Sequence, residues 1–176
     1  MDATAREGDP NPMTNRTTVE RKSERELVVT RTISGPARLV FDAFTKPELL
    51  KRWWAPKSTG LSLLSCEADV RVGGTYHFVF VDAASKPMGE FFGRYIEATP
   101  HLRLAWTNEE GGDGGAVTTV TFEEKGGKTR LAMHDLYPSK EALDATLASG
   151  MELGMRETLD QLDELAETLS NQRSQS

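Results

Sequence analysis

With 176 residues, 38% of them hydrophobic, the chain can build one packed core and is too short for two comfortable ones. A net charge of −6 argues against the clustered Lys and Arg on which phosphate-backbone binding rests, so no nucleic-acid partner is expected. The lone cysteine, Cys66, leaves no intramolecular disulfide and little basis for a Cys-based metal centre, which suits a reducing compartment.

No apolar run approaches the roughly 18 residues a membrane-spanning helix needs, and the N-terminus carries no stretch resembling a secretory signal. A cytoplasmic protein without membrane insertion is expected. Residues 1–24 are rich in Arg, Glu, Thr, Asn and Pro, with Val19 nearly the only strongly apolar side chain. Such a segment buries too little to offset its ordering entropy, so a disordered tail is expected there. A second polar tail is expected at 170–176, leaving one domain at 25–169.

From Leu27 to Ile33, Leu27, Val29 and Ile33 alternate with polar neighbours at the period of a half-buried strand. Gly35-Pro36 ends it. Pro36 and then Pro47 each suit the start of a short helix, and Leu39, Val40, Ala43 and Phe44 recur at helical spacing. The second helix runs into Trp53-Trp54-Ala55-Pro56. Strands are then predicted at Leu61–Val70, Thr75–Val81, Met88–Ala98, Leu102–Thr107, Ala116–Glu123 and Thr129–Leu136, separated by turn residues at hairpin spacing. An antiparallel meander follows from that spacing. Ser139 caps a last helix, predicted to continue to about Leu169, with Leu147, Met151, Met155, Leu159, Leu162, Ala166 and Leu169 on its dry stripe.

Strand parity puts Tyr76, Phe78 and Phe80 on one face and His77 and Val79 on the other. By the same rule Leu102, Leu104 and Trp106 share a face, as do Val120 with Phe122 and Leu131 with Met133. These residues can simply be core. Opposite them, however, Gly150 and Gly154 each cost the last helix about 1 kcal/mol relative to Ala. A kink at Ser149-Gly150 or close packing on the sheet accounts for them, and so does space kept free for a small molecule between walls of Met151 and Met155. Trp53 and Trp54 lie about 100° apart on a helix, so one is expected to plug the core and the other to border a cavity mouth.

Catalytic chemistry is thinly represented. His77, His101 and His134 are not placed as a metal pair, so neither a metal nor a cofactor is expected. Asp135, and Tyr95 with Glu97, are the acid-base candidates, each also readable as a solvated or salt-bridged surface group. Gly73-Gly74 and the Gly111–Gly115 run sit in hairpins with no following helix, unlike a phosphate loop, and Asp69 with Arg71 is expected to form an ion pair at the first of these turns.

Taken in order, Thr30-Arg31, Gly35-Pro36, Val40-Phe41, Thr45-Lys46-Pro47-Glu48-Leu49-Leu50, Trp53-Trp54-Ala55-Pro56, Asp69-Val70-Arg71-Val72-Gly73-Gly74, Gly93-Arg94-Tyr95 and the helix from Gly154-Met155 to Leu162 resemble a known family. It comprises bacterial proteins similar to the C-terminal domain of the activator of heat-shock protein 90 ATPase, within the START-like SRPBCC superfamily. The resemblance implies an α+β helix-grip fold, in which a curved antiparallel sheet wraps a long C-terminal helix and two short helices close one end around an apolar cavity. Met155 departs from it, since family members often carry Trp there.

The resemblance fixes no ligand. Binding of a small, mostly hydrophobic molecule without catalysis is the leading expectation, by a monomer or homodimer. Its site would comprise Trp53, Trp54, Tyr76, Phe78, Phe80, Tyr95, Trp106, Met133, Gly150, Met151, Gly154 and Met155. A chaperone ATPase-stimulating partner and a polyketide cyclase or aromatase-like enzyme are the alternatives implied by the family and its superfold.

Overall fold

The computed structural model describes residues 17–109 and 115–175. The chain runs β1 (Thr18–Arg21), β2 (Glu26–Ile33), α1 (Ala37–Thr45), α2 (Pro47–Trp53), a 3-10 turn (Lys57–Thr59), β3 (Ser62–Ala68), β4 (Thr75–Val81), β5 (Pro87–Thr99), β6 (Arg103–Thr107), β7 (Val117–Lys125), β8 (Lys128–Leu136), α3 (Lys140–Ala148) and α4 (Met151–Gln175). Eight strands form one sheet in the order β1-β2-β8-β7-β6-β5-β4-β3, with every neighbouring pair antiparallel. The expected meander is therefore present, closed onto the first strands by β8. This is the α+β helix-grip architecture that the resemblance implied.

Curvature comes from breaks in register. Pairing shifts between Leu63 and Ser65, between Phe80 and Val81, and between Tyr95 and Glu97; extra residues of this kind increase local twist and bend a strand. Where β5 meets β6, a Cβ on Gly93 would lie 2.0 Å from the Thr107 carbonyl oxygen. Only glycine lets β5 pass that close to the end of β6.

The core lies between the concave sheet face and α1, α2 and α4. Leu27, Val29 and Ile33 of β2 point inward as their alternation requires, and the aromatic parity of β4 holds, with Tyr76, Phe78 and Phe80 buried. Phe44 on α1 packs edge-on against Trp53 and Phe122, at ring-centroid distances of 4.8 and 5.5 Å. Leu102 departs from the expected parity: it is exposed, because it sits in a turn beside His101, whose φ of 68° resets the chain before β6 begins. Asp69 and Arg71 form the expected ion pair, 2.9 Å apart.

Two boundaries differ from expectation. Thr18–Arg21, placed in the disordered tail from sequence, forms a strand paired with Leu27–Thr30. Its backbone bonds to β2, and the buried Thr17 held by Arg31 and Arg156, supply what its composition lacks. Residues 1–16, like Gly111–Gly114, lie outside the described residues. At the other end α4 continues through Gln175, past the expected stop at Leu169, since extending an existing helix costs far less than starting one.

The last helix is two helices. Ser139 caps α3 by accepting a hydrogen bond from the Ala142 amide, and the chain breaks at Ser149-Gly150, where Gly150 adopts a left-handed φ of 84°. Gly150 is exposed and is not on the inward stripe; the expected notch at that position is instead a helix end. Gly154 lies inside α4, and an added Cβ would meet only Pro56 Cγ, at an ordinary 3.7 Å. The two glycines should therefore respond oppositely to alanine. Gly154→Ala is expected to stabilise by about 0.5–1 kcal/mol, and Gly150→Ala to cost about 1–2 kcal/mol through left-handed strain. Thermal unfolding of the two variants checks both signs.

Candidate functional site

Beneath the densest ring cluster there is almost no room. Phe44, Leu50, Trp54, Tyr76, Phe78, Tyr95 and Trp106 enclose only about 20 Å³, the size of a single water. Tyr76, Phe78 and Tyr95 are thus core walls rather than borders of a large cavity. Tyr76 also donates a 2.7 Å hydrogen bond to the Thr107 carbonyl, and burial pushes the Tyr95 phenol far above its usual pKa.

Space opens alongside this cluster, between the sheet and the α3–α4 pair. One arm of about 260 Å³ is apolar and lined by Trp53, Trp54, Pro56, Phe80, Phe91, Met133, Met151, Gly154, Met155, Thr158 and Leu159. A second arm, of about 490 Å³, shares Trp54, Phe91, Met133, Met151 and Met155 with the first and adds Trp106, Asn108, Gly115, Ala116, Thr118, Asp135, Tyr137, Pro138, Ala142 and Thr146. The shared walls make one cleft with a greasy end and a polar end. Eight of the twelve expected site residues line it; Tyr76, Phe78 and Tyr95 line only the small void, and Gly150 lines neither arm, while Trp53, Trp54, Phe80, Trp106, Met133, Met151, Gly154 and Met155 reach the open arms.

The tryptophan doublet divides its work as the helical angle requires. Trp53 is sealed in the core, its indole N–H donating 2.8 Å to the Ala43 carbonyl. Trp54 is half-buried and walls both arms. Their loop is pinned by Gln161 of α4, a buried amide that donates to the carbonyls of Trp53 and Ala55, each at 3.0 Å, and accepts from the Lys57 amide at 2.9 Å. Two carbonyls of the Trp-Trp-Ala-Pro turn and the amide that follows it are thereby satisfied by one side chain.

Asp135 corrects the reading of it as a surface acid. It is 8% exposed and lies on the polar floor of the cleft, because β8 is an interior strand roofed by the two last helices. Asn108 donates to the Ala116 carbonyl and to Thr118 Oγ1, and the Thr118 hydroxyl donates to Asp135 Oδ1 at 2.6 Å. Burial drives the Asp135 carboxyl above its usual range, against the smaller opposing effects of Thr118 and His134. Nearby Tyr137 is pushed up to about 12, chiefly by burial.

The other acid-base pair separates. The bulge between Tyr95 and Glu97 turns the first inward and leaves Glu97 outside, bonded to Arg103 at 3.0 Å. Likewise His77 faces out to Glu90 and His134 to Glu26. Phe91, Asn108, Thr118 and Tyr137 were missed from sequence; the spacing of Thr118 across from Asp135 in the β7–β8 ladder was the one signal that could have found part of this group.

The raised carboxyl has a measurable consequence. A folded-state pKa above the unfolded value means the native protein holds an extra proton between the two, so the Asp135 contribution is favourable at low pH and is lost as pH rises through the folded value. Asp135→Asn should therefore be more stable than the wild type at pH 7, with the difference shrinking as pH falls toward 4, the usual carboxylate region. Urea midpoints measured across that range test it.

Comparison with known proteins places this geometry in context. The family model for "Activator of Hsp90 ATPase homolog 1-like protein" matches residues 34–167. No curated protein sequence matches the chain. Among solved structures, a Rhodobacter sphaeroides protein is similar at 26% identity and a TM-score of 0.79, over 88% of this chain and 99% of that one. A Nitrosomonas europaea protein is similar at 25% identity and a TM-score of 0.74, over 84% and 97% of the two chains. A Chromobacterium violaceum protein shares 28% identity at a TM-score of 0.67, over 82% and 99%.

Proposed function

This chain belongs to the Activator of Hsp90 ATPase homolog 1-like family, and from that membership and the shape of the cleft we propose that it binds a small, mostly hydrophobic molecule between the sheet and α4. The observation that carries this reading is the pair of adjoining arms, about 260 and 490 Å³, which as one cleft reach the size range of small-molecule sites. Met133, Met151 and Met155 give walls that adapt to shape, and the rings of Trp54, Phe91 and Trp106 give apolar area at little entropic cost. No described helix is long and apolar enough to cross a membrane, so the apolar cleft is not explained as part of a helical span.

Tryptophan fluorescence tests the reading, because Trp54 and Trp106 both stand in the cleft walls. A panel of apolar compounds is expected to include some that change the emission saturably, and Met155→Trp, which fills the junction of the two arms, is expected to abolish that response while the fold is retained. If no compound gives a saturable change, or if Met155→Trp binds as the wild type does, the proposal fails.

A further inference from the structure

We infer that the cleft is built for a hydrophobic amine, whose body lies in the apolar arm and whose ammonium group hydrogen-bonds to Asp135 in the polar arm. This rests on the ligand-binding reading and names the chemical class of the ligand.

The first support is the isolation of the carboxyl group. Among the described residues lining either arm, Asp135 is the only carboxylate side chain and none is Lys, Arg or His. A buried charge is ordinarily paired within the protein; here the lining provides no cation, and the counterion is left to whatever enters.

Hydrogen-bond direction gives the second. Both amide hydrogens of Asn108 are committed, one to the Ala116 carbonyl at 2.8 Å and one to Thr118 Oγ1 at 3.1 Å. Since Thr118 Oγ1 receives the second of these, its own hydrogen goes to Asp135 Oδ1, at 2.6 Å. That fixes one face of the carboxyl group. Oδ2 has no protein partner among the described residues, yet it is not among the fully sealed unpartnered atoms, of which the only one is Arg31 Nε. An oxygen that is unpaired but not sealed, in a residue lining the cleft, is open to a ligand donor.

The surroundings complete the match. Trp54 and Trp106 wall the polar arm, and an indole face attracts an ammonium within about 6 Å. The net charge of −6 favours the approach of cations over anions. Burial also disfavours the lone carboxylate, as the upward displacement of its pKa records, and a bound ammonium relieves that cost directly. A neutral hydroxyl or carbonyl would satisfy the hydrogen bond without supplying the charge.

Two matched series discriminate the head group while holding the body constant: octylamine, octanol and octanoate, and naphthylethylamine, naphthylethanol and naphthylacetate. In isothermal titration calorimetry with the full chain, the amine is expected to bind about 10- to 100-fold more tightly than its alcohol, the scale of a hydrogen bond to a charged group, with the carboxylate weakest. Asp135→Asn is expected to abolish the advantage of the amine over its alcohol. In the wild type, the carboxyl carbon NMR resonance of Asp135 should move further on adding amine than on adding the matched alcohol, a readout that needs no variant. If the alcohol binds as tightly as the amine, or if the amine keeps its advantage in Asp135→Asn, or if the resonance moves no further with amine than with alcohol, the amine inference is overturned while the cleft remains a binding site. If neither series binds with any head group, the inference and the ligand-binding reading fall together.

Discussion

Trp53→Ala is expected to lower the unfolding free energy by about 3–5 kcal/mol, the usual cost of emptying a large aromatic site in a core that cannot collapse. Trp53 is 2% exposed, packs on Phe44 at 4.8 Å and donates its indole N–H to the Ala43 carbonyl. Its removal therefore creates a void and also leaves a buried carbonyl without its donor. Trp54→Ala should cost distinctly less, because Trp54 is half-buried, yet it should change ligand binding more, since this ring walls both arms of the cleft. Urea denaturation of the two variants, with a binding titration on each, tests the division. Equal stability losses would show that the two rings are not a plug and a wall.

The second large effect is expected at Arg31, whose guanidinium lies in the interior at 5% side-chain exposure. It donates to Asp160 and Thr17 and reaches Asp163 Oδ2 at 3.3 Å, while Asp163 Oδ1 accepts the Ser34 amide. This cluster ties β2 to α4. Arg31→Ala strands Asp163 at 14% exposure and should cost on the order of 3–5 kcal/mol, the loss seen when one partner of a buried pair is removed. Replacing both partners with apolar residues, as in Arg31→Met with Asp163→Leu, should recover most of that loss, because the desolvation cost disappears with the charges. Failure of the double variant to recover would mean that the Ser34 amide bond, not the ion pair, holds the helix in place.

Arg31 also marks how far the sequence could be read. Alternation along β2 puts position 31 on the same face as Leu27, Val29 and Ile33, so an inward arginine was legible as a break in an apolar pattern. Its partners were not. Asp163 reads as part of the wet face of a helix, and only the packing of α4 against β2 brings it to the guanidinium. The aromatic rows of β4 and the division of labour between Trp53 and Trp54 were likewise legible, because each depends on a local angle. Tyr95 and Glu97 were misread together, since a bulge shifts parity by one and nothing in the residues themselves announces it.

From its residues alone this chain specified a strand, two proline-started helices, a meander and a capped terminal helix, because alternation, helical period and turn chemistry are short-range properties. Tertiary structure decided where the room lies. The volume beneath the rings is nearly filled, whereas the break at Gly150 sets α3 and α4 over β7 and β8 and leaves open the cleft that contains Asp135. Cavity position and the burial of a single carboxyl group depend on how whole elements meet across the sheet, and that is a long-range outcome that no local spacing encodes.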